Sequence, residues 1–219
     1  MHIRHTLASL ACVALFTVAR HGSADSDLTI AATVWRIAPS QSGPVNYYSL
    51  ATEGDATFIR SRYVPKTKTA VLGWQTPESD RRKARKLRWT WRAQTLPAGG
   101  DECAPGKGDS AAVVYVTWKR FLKYYALKYV WSAVGTKGKI CDKKRNPFAS
   151  QDTIILESGG PLNTWRTEEI DLAAEYRFHF EGGDPTASVP DFVGIGLMSD
   201  GDQTQTESSA DFGVFTVVR

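Results

Sequence analysis

Apolar and polar positions alternate with a period of two along much of the chain. Leu87, Trp89, Trp91 and Ala93 fall on one face of a run whose other face is Arg88, Thr90 and Arg92. That alternation predicts a half-buried strand. The run Ala111 to Trp118 is apolar on both faces, which predicts a central strand covered on two sides. Leu127 to Val134, Asp152 to Leu156, Val193 to Met198 and Phe212 to Val218 are further predicted strands. Turn clusters separate them, at Pro97–Asp101, Pro105–Gly108, Ser158–Pro161 and Gly182–Pro185. Helical periodicity is sparse. Asp171 to Phe180 predicts one short helix with Asp171 as its cap, and Arg120 to Tyr125 is ambiguous. Residues 25–45 are expected to be a loose or strand-exchanging segment. Short strands at this spacing predict an all-β fold: a two-sheet antiparallel β-sandwich or jelly roll with one or two short helices.

The N-terminus changes the picture of where this sandwich works. Thr6 to Ala19 is an apolar run, preceded by Arg4 and followed by the small residues Gly22, Ser23 and Ala24. This is the order of a secretory signal peptide, so residues 1–24 are expected to be removed after Ala24. The run is too short for a stable membrane anchor, which needs about 20 residues. The mature chain, 25–219, is expected to be one sandwich domain, periplasmic or secreted, with no transmembrane segment. Of three cysteines, Cys12 leaves with the signal. Cys103 and Cys141 remain as an even pair in an oxidising compartment, and a loop-to-loop disulfide between them is expected.

Charge is segregated along the sequence. Residues 80–145 carry 17 basic and 5 acidic side chains, whereas residues 146–219 carry 3 and 13. The densest basic stretch runs from Arg81 to Arg88. Such a stretch can meet an anionic lipid or lipopolysaccharide, or it can be neutralised by acidic strands beside it. Nucleic acid is not an expected partner.

Candidate chemistry is thin. The mature chain has a single histidine, His179, between Phe178 and Phe180, so a histidine-rich metal site is excluded. No Gly-x-Ser-x-Gly turn is present. The glycines around Lys107 lack the spacing and the hydroxyl of a phosphate-binding loop. The loop from Asp200 places oxygen donors at Asp200, Asp202, Thr204, Ser208 and Asp211, positions 1, 3, 5, 9 and 12 of a calcium loop. Gln205 replaces that loop's glycine, so the pattern also suits a polar hairpin whose side chains bond their own backbone. The metal candidates are therefore Asp200, Asp202, Thr204 and Asp211, with calcium as the cofactor to test. Trp74 and Trp165 are the tryptophans expected to be accessible, and with Arg88 and Arg92 they are the candidate ligand-binding residues. Exposed rings beside polar groups suit the C–H faces and hydroxyls of a sugar. Trp89 and Trp91 are expected in the core. Hydrolysis of a glycan would need two carboxylates roughly 5–10 Å apart. Glu157, Glu168, Glu169 and Asp171 are the candidates, and nothing in their spacing marks a pair.

Several blocks together resemble a known family. They are Leu87-Arg-Trp-Thr-Trp-Arg, Lys107-Gly-Asp-Ser-Ala-Ala-Val-Val-Tyr-Val, Leu127-Lys-Tyr-Val-Trp-Ser, and Val193-Gly-Ile-Gly-Leu-Met-Ser-Asp-Gly-Asp-Gln-Thr followed by Ala210-Asp-Phe-Gly. In this order the chain resembles the bacterial domain-of-unknown-function family numbered 3047. It departs from that pattern where Ser110 follows Asp109 in place of a second Asp, at Val113 in place of Arg, and at Gln203 in place of Asn. The resemblance implies an exported protein without an assigned activity, and the strand order is similar to galactose-binding-type jelly rolls. The leading expectation is a non-catalytic module binding carbohydrate or a cell-envelope glycan. The alternatives are a polysaccharide-acting enzyme using Glu157 or Glu169, and a structural envelope protein binding anionic lipid.

Overall fold

In the computed structural model, residues 26–37 and 47–219 are described. The expected signal peptide, its cleavage point and Cys12 lie outside the described residues. The strands are β1 (Leu28–Ile30), β2 (Arg36–Ile37), β3 (Tyr48–Glu53), β4 (Ala56–Tyr63), β5 (Leu72–Gln75), β6 (Lys86–Thr95), β7 (Ser110–Arg120), β8 (Lys123–Ser132), β9 (Ile140–Arg145), β10 (Ala149–Ser158), β11 (Arg166–Asp171), β12 (Asp191–Met198) and β13 (Ser208–Val218). One helix, α1 (Leu172–Phe180), and a 3-10 turn at Ala32–Val34 complete the described elements.

The strands form the two-sheet sandwich that the alternation predicts. One sheet runs β11-β6-β13-β4-β3, with β1 added along β13. The other runs β2-β5-β12-β7-β8-β10-β9. Pairing is antiparallel except between β8 and β10, which run parallel because β10 inserts between β8 and β9. The segment expected to be loose is tied down at its described ends. Leu28–Ile30 pairs with β13, and Arg36–Ile37 pairs with β5.

Aromatic side chains fill the space between the sheets. Trp89, Trp91, Trp118, Trp131, Phe212 and Phe215 are fully buried there. Trp89 stacks on Phe215 with centroids 6.4 Å apart, and Trp91 meets Trp131 at 5.8 Å. Each ring of this size removes about 150–250 Å² from water, so these contacts dominate the folding energy. Helix α1 closes one side. The Asp171 carboxylate caps it by accepting from the Ala173 and Ala174 N–H groups at 3.0 and 2.8 Å. Its Tyr176 packs on Trp118, Tyr125 and Phe180.

The seven-stranded sheet is covered at one end of its outer face as well. Val113, Val130, Ile155 and Met198 form a second cluster there, under Cys103 and Cys141. This explains why β7 is apolar on both faces. Cys103 and Cys141 are bonded, as expected, across a separation of 38 residues. The staple joins loop to strand rather than loop to loop, since Cys141 belongs to edge strand β9. Among the described residues, no helix is long and apolar enough to cross a membrane.

Candidate functional site

Strand register lays out the open part of the seven-stranded sheet's outer face. One row across it reads Arg36 (β2), Gly73 (β5), Gly196 (β12), Tyr115 (β7) and Lys128 (β8). The next reads Gln75, Gly194, Thr117 and Ala126. Residues directly opposite share a face, so three glycines pave the middle of this surface. Close approach leaves no room for a side chain at two of them, by backbone at Gly194 and by neighbouring side chains at Gly196. A Cβ on Gly194 would sit 2.5 Å from the Trp74 carbonyl oxygen, and one on Gly196 would sit 2.7 Å from Val71 Cγ1. The result is a groove of about 1060 Å³. Val34 and Ile37 form one wall, Tyr124 the other, and Arg36, Gln75, Thr117 and Lys119 provide polar groups. The Lys119 ammonium lies 4.8 Å from the centre of the Tyr124 ring. Trp74 also lines the groove, although its side chain packs against the main core.

Beyond one end of the groove lies the 199–207 loop. Asp200 and Asp202 come together with Asp109, with one carboxylate oxygen from each within 4.8 Å of the others. That spacing is one a hard cation could bridge. Protein groups already use several of these oxygens. Asp109 accepts from the Gln203 and Thr204 N–H groups at 3.2 and 2.6 Å. The Thr69 hydroxyl bridges Asp200 and Asp202 at 3.1 and 3.0 Å. Burial, with the Asp202 charge beside it, pushes the Asp200 carboxyl up to about 6, against the pull of Lys128. Lys128 is itself buried in an ion pair with Glu102 at 2.9 Å, and Ser110 donates to the same carboxylate.

Of the expected metal ligands, Thr204 stays beside the cluster with its N–H on Asp109, whereas Asp211 lies elsewhere. The Thr204 hydroxyl pairs with Thr206 at 2.8 Å. Asp211 belongs to the six-stranded sheet, because β13 has begun at Ser208 and the strand carries Asp211 away from the loop. Its carboxylate is fully buried and accepts from Arg60, Arg92 and Gln94. Asp109, which the calcium-loop spacing did not include, takes part instead. It lies 91 residues before Asp200 in the sequence, and only its place in the Asp109-Ser110 block of the family resemblance drew attention to it.

The expected ligand-binding residues are divided between the two sheets. Trp165, Arg88 and Arg92 belong to the six-stranded side, away from Trp74. The Arg92 guanidinium lies 4.5 Å over Trp165 and 5.3 Å over Phe58, held by Asp211 and Glu53. With its side chain 10% exposed, it is committed to these protein contacts. Arg88 pairs with Glu169 at the surface. Of the carboxylates considered for hydrolysis, Glu157 lies near enough to Glu168 for its charge to add to the burial that raises the Glu168 carboxyl, while the others are engaged in separate contacts. Glu169 is held by Lys86 and Arg88, Glu157 by Lys137, and Asp171 caps α1. Glu168 accepts from the Trp91 indole N–H at 3.2 Å.

His179 is structural in its surroundings, with Nδ1 2.8 Å from Asp152 and Nε2 3.6 Å from Glu175. The basic stretch from Arg81 lies at the far end of the sandwich. There Arg81, Arg82 and Arg85 line a cleft of about 810 Å³ together with Lys119, Arg120 and Arg177.

Three solved structures illustrate what the chain is similar to. One is the xyloglucanase domain of NopAA, a type three effector from Sinorhizobium fredii, in complex with cellobiose: 12% identity, 88% of this chain and 97% of that one covered, TM-score 0.44. A second is the family 11 carbohydrate-binding module from Clostridium thermocellum in complex with a β-1,3-1,4-mixed-linked tetrasaccharide: 10% identity, 88% and 87% covered, TM-score 0.36. A third is the Trichoderma harzianum endoglucanase 3 from family GH12: 10% identity, 90% and 100% covered, TM-score 0.37. No curated protein matches the chain. Residues 35–216 match the model of a family described as "Protein of unknown function (DUF3047)", and with that span covered the chain belongs to this family.

Proposed function

We propose that this protein is an exported, non-catalytic carbohydrate-binding module, with residues 25–219 as one sandwich domain after removal of the signal peptide. The glycine-paved groove on the seven-stranded sheet is the observation that carries the reading. A flat floor flanked by the Tyr115 and Tyr124 rings suits the C–H face of a pyranose, and Gln75, Thr117 and Arg36 supply partners for its hydroxyls. The groove is open along its length, which suits a chain of sugars rather than a single one. The Cys103–Cys141 disulfide supports a destination outside the cytoplasm.

Affinity electrophoresis of the mature protein in gels cast with plant, algal and bacterial polysaccharides tests this. Retardation by at least one polysaccharide is expected, with a tenfold or greater loss of affinity in Tyr124→Ala combined with Gln75→Ala. Both side chains lie on the surface of the groove, so their removal should leave the fold intact. Unchanged binding in that variant, or no retardation by any polysaccharide in the panel, would refute the proposal.

A further inference from the structure

Three bulky apolar side chains stand in water at the end of the sandwich opposite the acidic loop. Phe121 is 90% exposed, Leu122 77% and Phe148 67%. Phe121 and Leu122 are the two-residue turn between β7 and β8, whose flanking residues Arg120 and Lys123 pair. Phe148 belongs to the turn between β9 and β10. Its carbonyl oxygen accepts from the Tyr124 N–H at 2.9 Å, so the two turns lie side by side. Grouped exposed apolar side chains of this size ordinarily mark a contact surface.

Backbone conformation sharpens the point. Phe121 has φ +54°, in the left-handed region. The first position of such a hairpin turn is where glycine ordinarily sits, because a side chain there is strained. Phenylalanine gives the fold neither an easier turn nor a buried ring. A strained residue that folding does not require points to a role in contact with something else.

The charge around the tip says what that something is. The 810 Å³ cleft beside Phe121 is lined by Arg81, Arg82, Arg85, Lys119, Arg120 and Arg177. Ion pairs to Glu78, Asp191 and Glu181 offset some of this charge. Lys123, next in the hairpin, lies over the Tyr125 ring. A protruding apolar tip ringed by cations matches a bilayer interface carrying anionic headgroups. Apolar side chains enter the boundary with the acyl chains, and guanidinium groups take the phosphates. A soluble protein partner would need a complementary pocket for a projecting wedge, whereas a bilayer admits one anywhere.

We infer that the Phe121-Leu122 and Phe148 turns, with the arginine-lined cleft beside them, dock this protein on the surface of an anionic phospholipid bilayer. This surface adjoins the glycine-paved groove, and Arg81 and Lys119 line both.

Co-sedimentation of the mature protein with phosphatidylcholine vesicles, with and without phosphatidylglycerol, tests the inference. Binding should require phosphatidylglycerol and should fall steeply with added salt, as screening of surface charge demands. The decisive variant is Phe121→Gly combined with Leu122→Asn. Glycine suits the φ of the turn, so the melting temperature should hold or rise, while vesicle partition drops at least tenfold. Arg82→Glu combined with Arg85→Glu, which line the cleft and not the groove, should lower partition to a similar extent. Gln75→Ala, in the groove, should leave vesicle binding unchanged. Equal binding to both vesicle types, no binding to either, or undiminished binding by the Gly-Asn variant would each overturn the inference. So would a concentration-dependent dimer that this variant abolishes without any vesicle binding by the parent, since the tip would then be meeting a second copy.

Discussion

Replacing Asp211 by alanine should be among the most damaging single changes on the outer face of the six-stranded sheet. Its carboxylate is fully buried and takes four hydrogen bonds. Arg60 donates two, from Nε at 2.8 Å and Nη2 at 3.0 Å. Arg92 Nε donates at 2.8 Å and Gln94 Nε2 at 2.7 Å. The partners do not lose equally. Arg60 is 42% exposed and can turn to water, so its share of the loss is small. Arg92 is 10% exposed and lies under Trp165 and Phe58, leaving it only Glu53 as a charged partner. Breaking a buried pair by removing one member costs about 3–5 kcal/mol, because the other charge is stranded. Glu53 still holds Arg92, so the lower end, about 3 kcal/mol, is expected. For a chain of this size that lowers Tm by about 6–12 °C. Thermal melts and urea titrations of Asp211→Ala would read this directly. In an Arg92→Leu background the same substitution should lose much less, since no buried cation remains to be stranded. A loss under about 1 kcal/mol, or an equal loss in both backgrounds, would refute the account of Asp211 as the anchor of a structural ion cluster.

Cys103→Ser should destabilise by about 4 kcal/mol in the chain-entropy model for a closure of this length, and the melt of the parent should become sensitive to reductant. The Asp200 carboxyl, raised to about 6 from its ordinary 3.8, gives a pH dependence of defined sign. Between those values the folded chain keeps a proton that the unfolded chain has released. Stability should therefore fall as pH rises through that window, by at most about 3 kcal/mol, and stay lowered above it. In chelator, Asp200→Asn should melt higher than the parent at pH 7 and equal to it at pH 3.5; equal melting at both would refute the burial argument.

Much of the architecture was legible in the chain because one-dimensional pattern and packing coincide there. Trp89 and Trp91 recur at the strand period, so any strand through them must bury both on one face. The apolar run from Ala111 needs cover on two sides, and it becomes a central strand whose outer end lies beneath a disulfide-stapled loop. Asp171 precedes a helix it caps through its own side chain, an interaction spanning three residues. The Cys103–Cys141 pairing followed from the count of cysteines left after the expected signal peptide. Strands β1 to β5, β9 and β11 were not read from the chain; apart from β4 they are short or half-exposed and owe their place to the neighbours they pair with.

What only the tertiary structure decided is what lies across strands. Asp109 meets Asp200 because β7 begins where β12 ends. Asp211, near enough in sequence to suggest a shared loop, is carried to the other sheet by the register of β13 with β4 and β6. Gly73, Gly194 and Gly196 form one floor only because β5 and β12 align them, and nothing in either strand alone announces a groove. Likewise, Phe121 and Phe148 become neighbours through the parallel pairing of β8 and β10. Local sequence sets which face of a strand is apolar; which strands stand side by side, and in what register, is settled by packing between residues far apart in the chain.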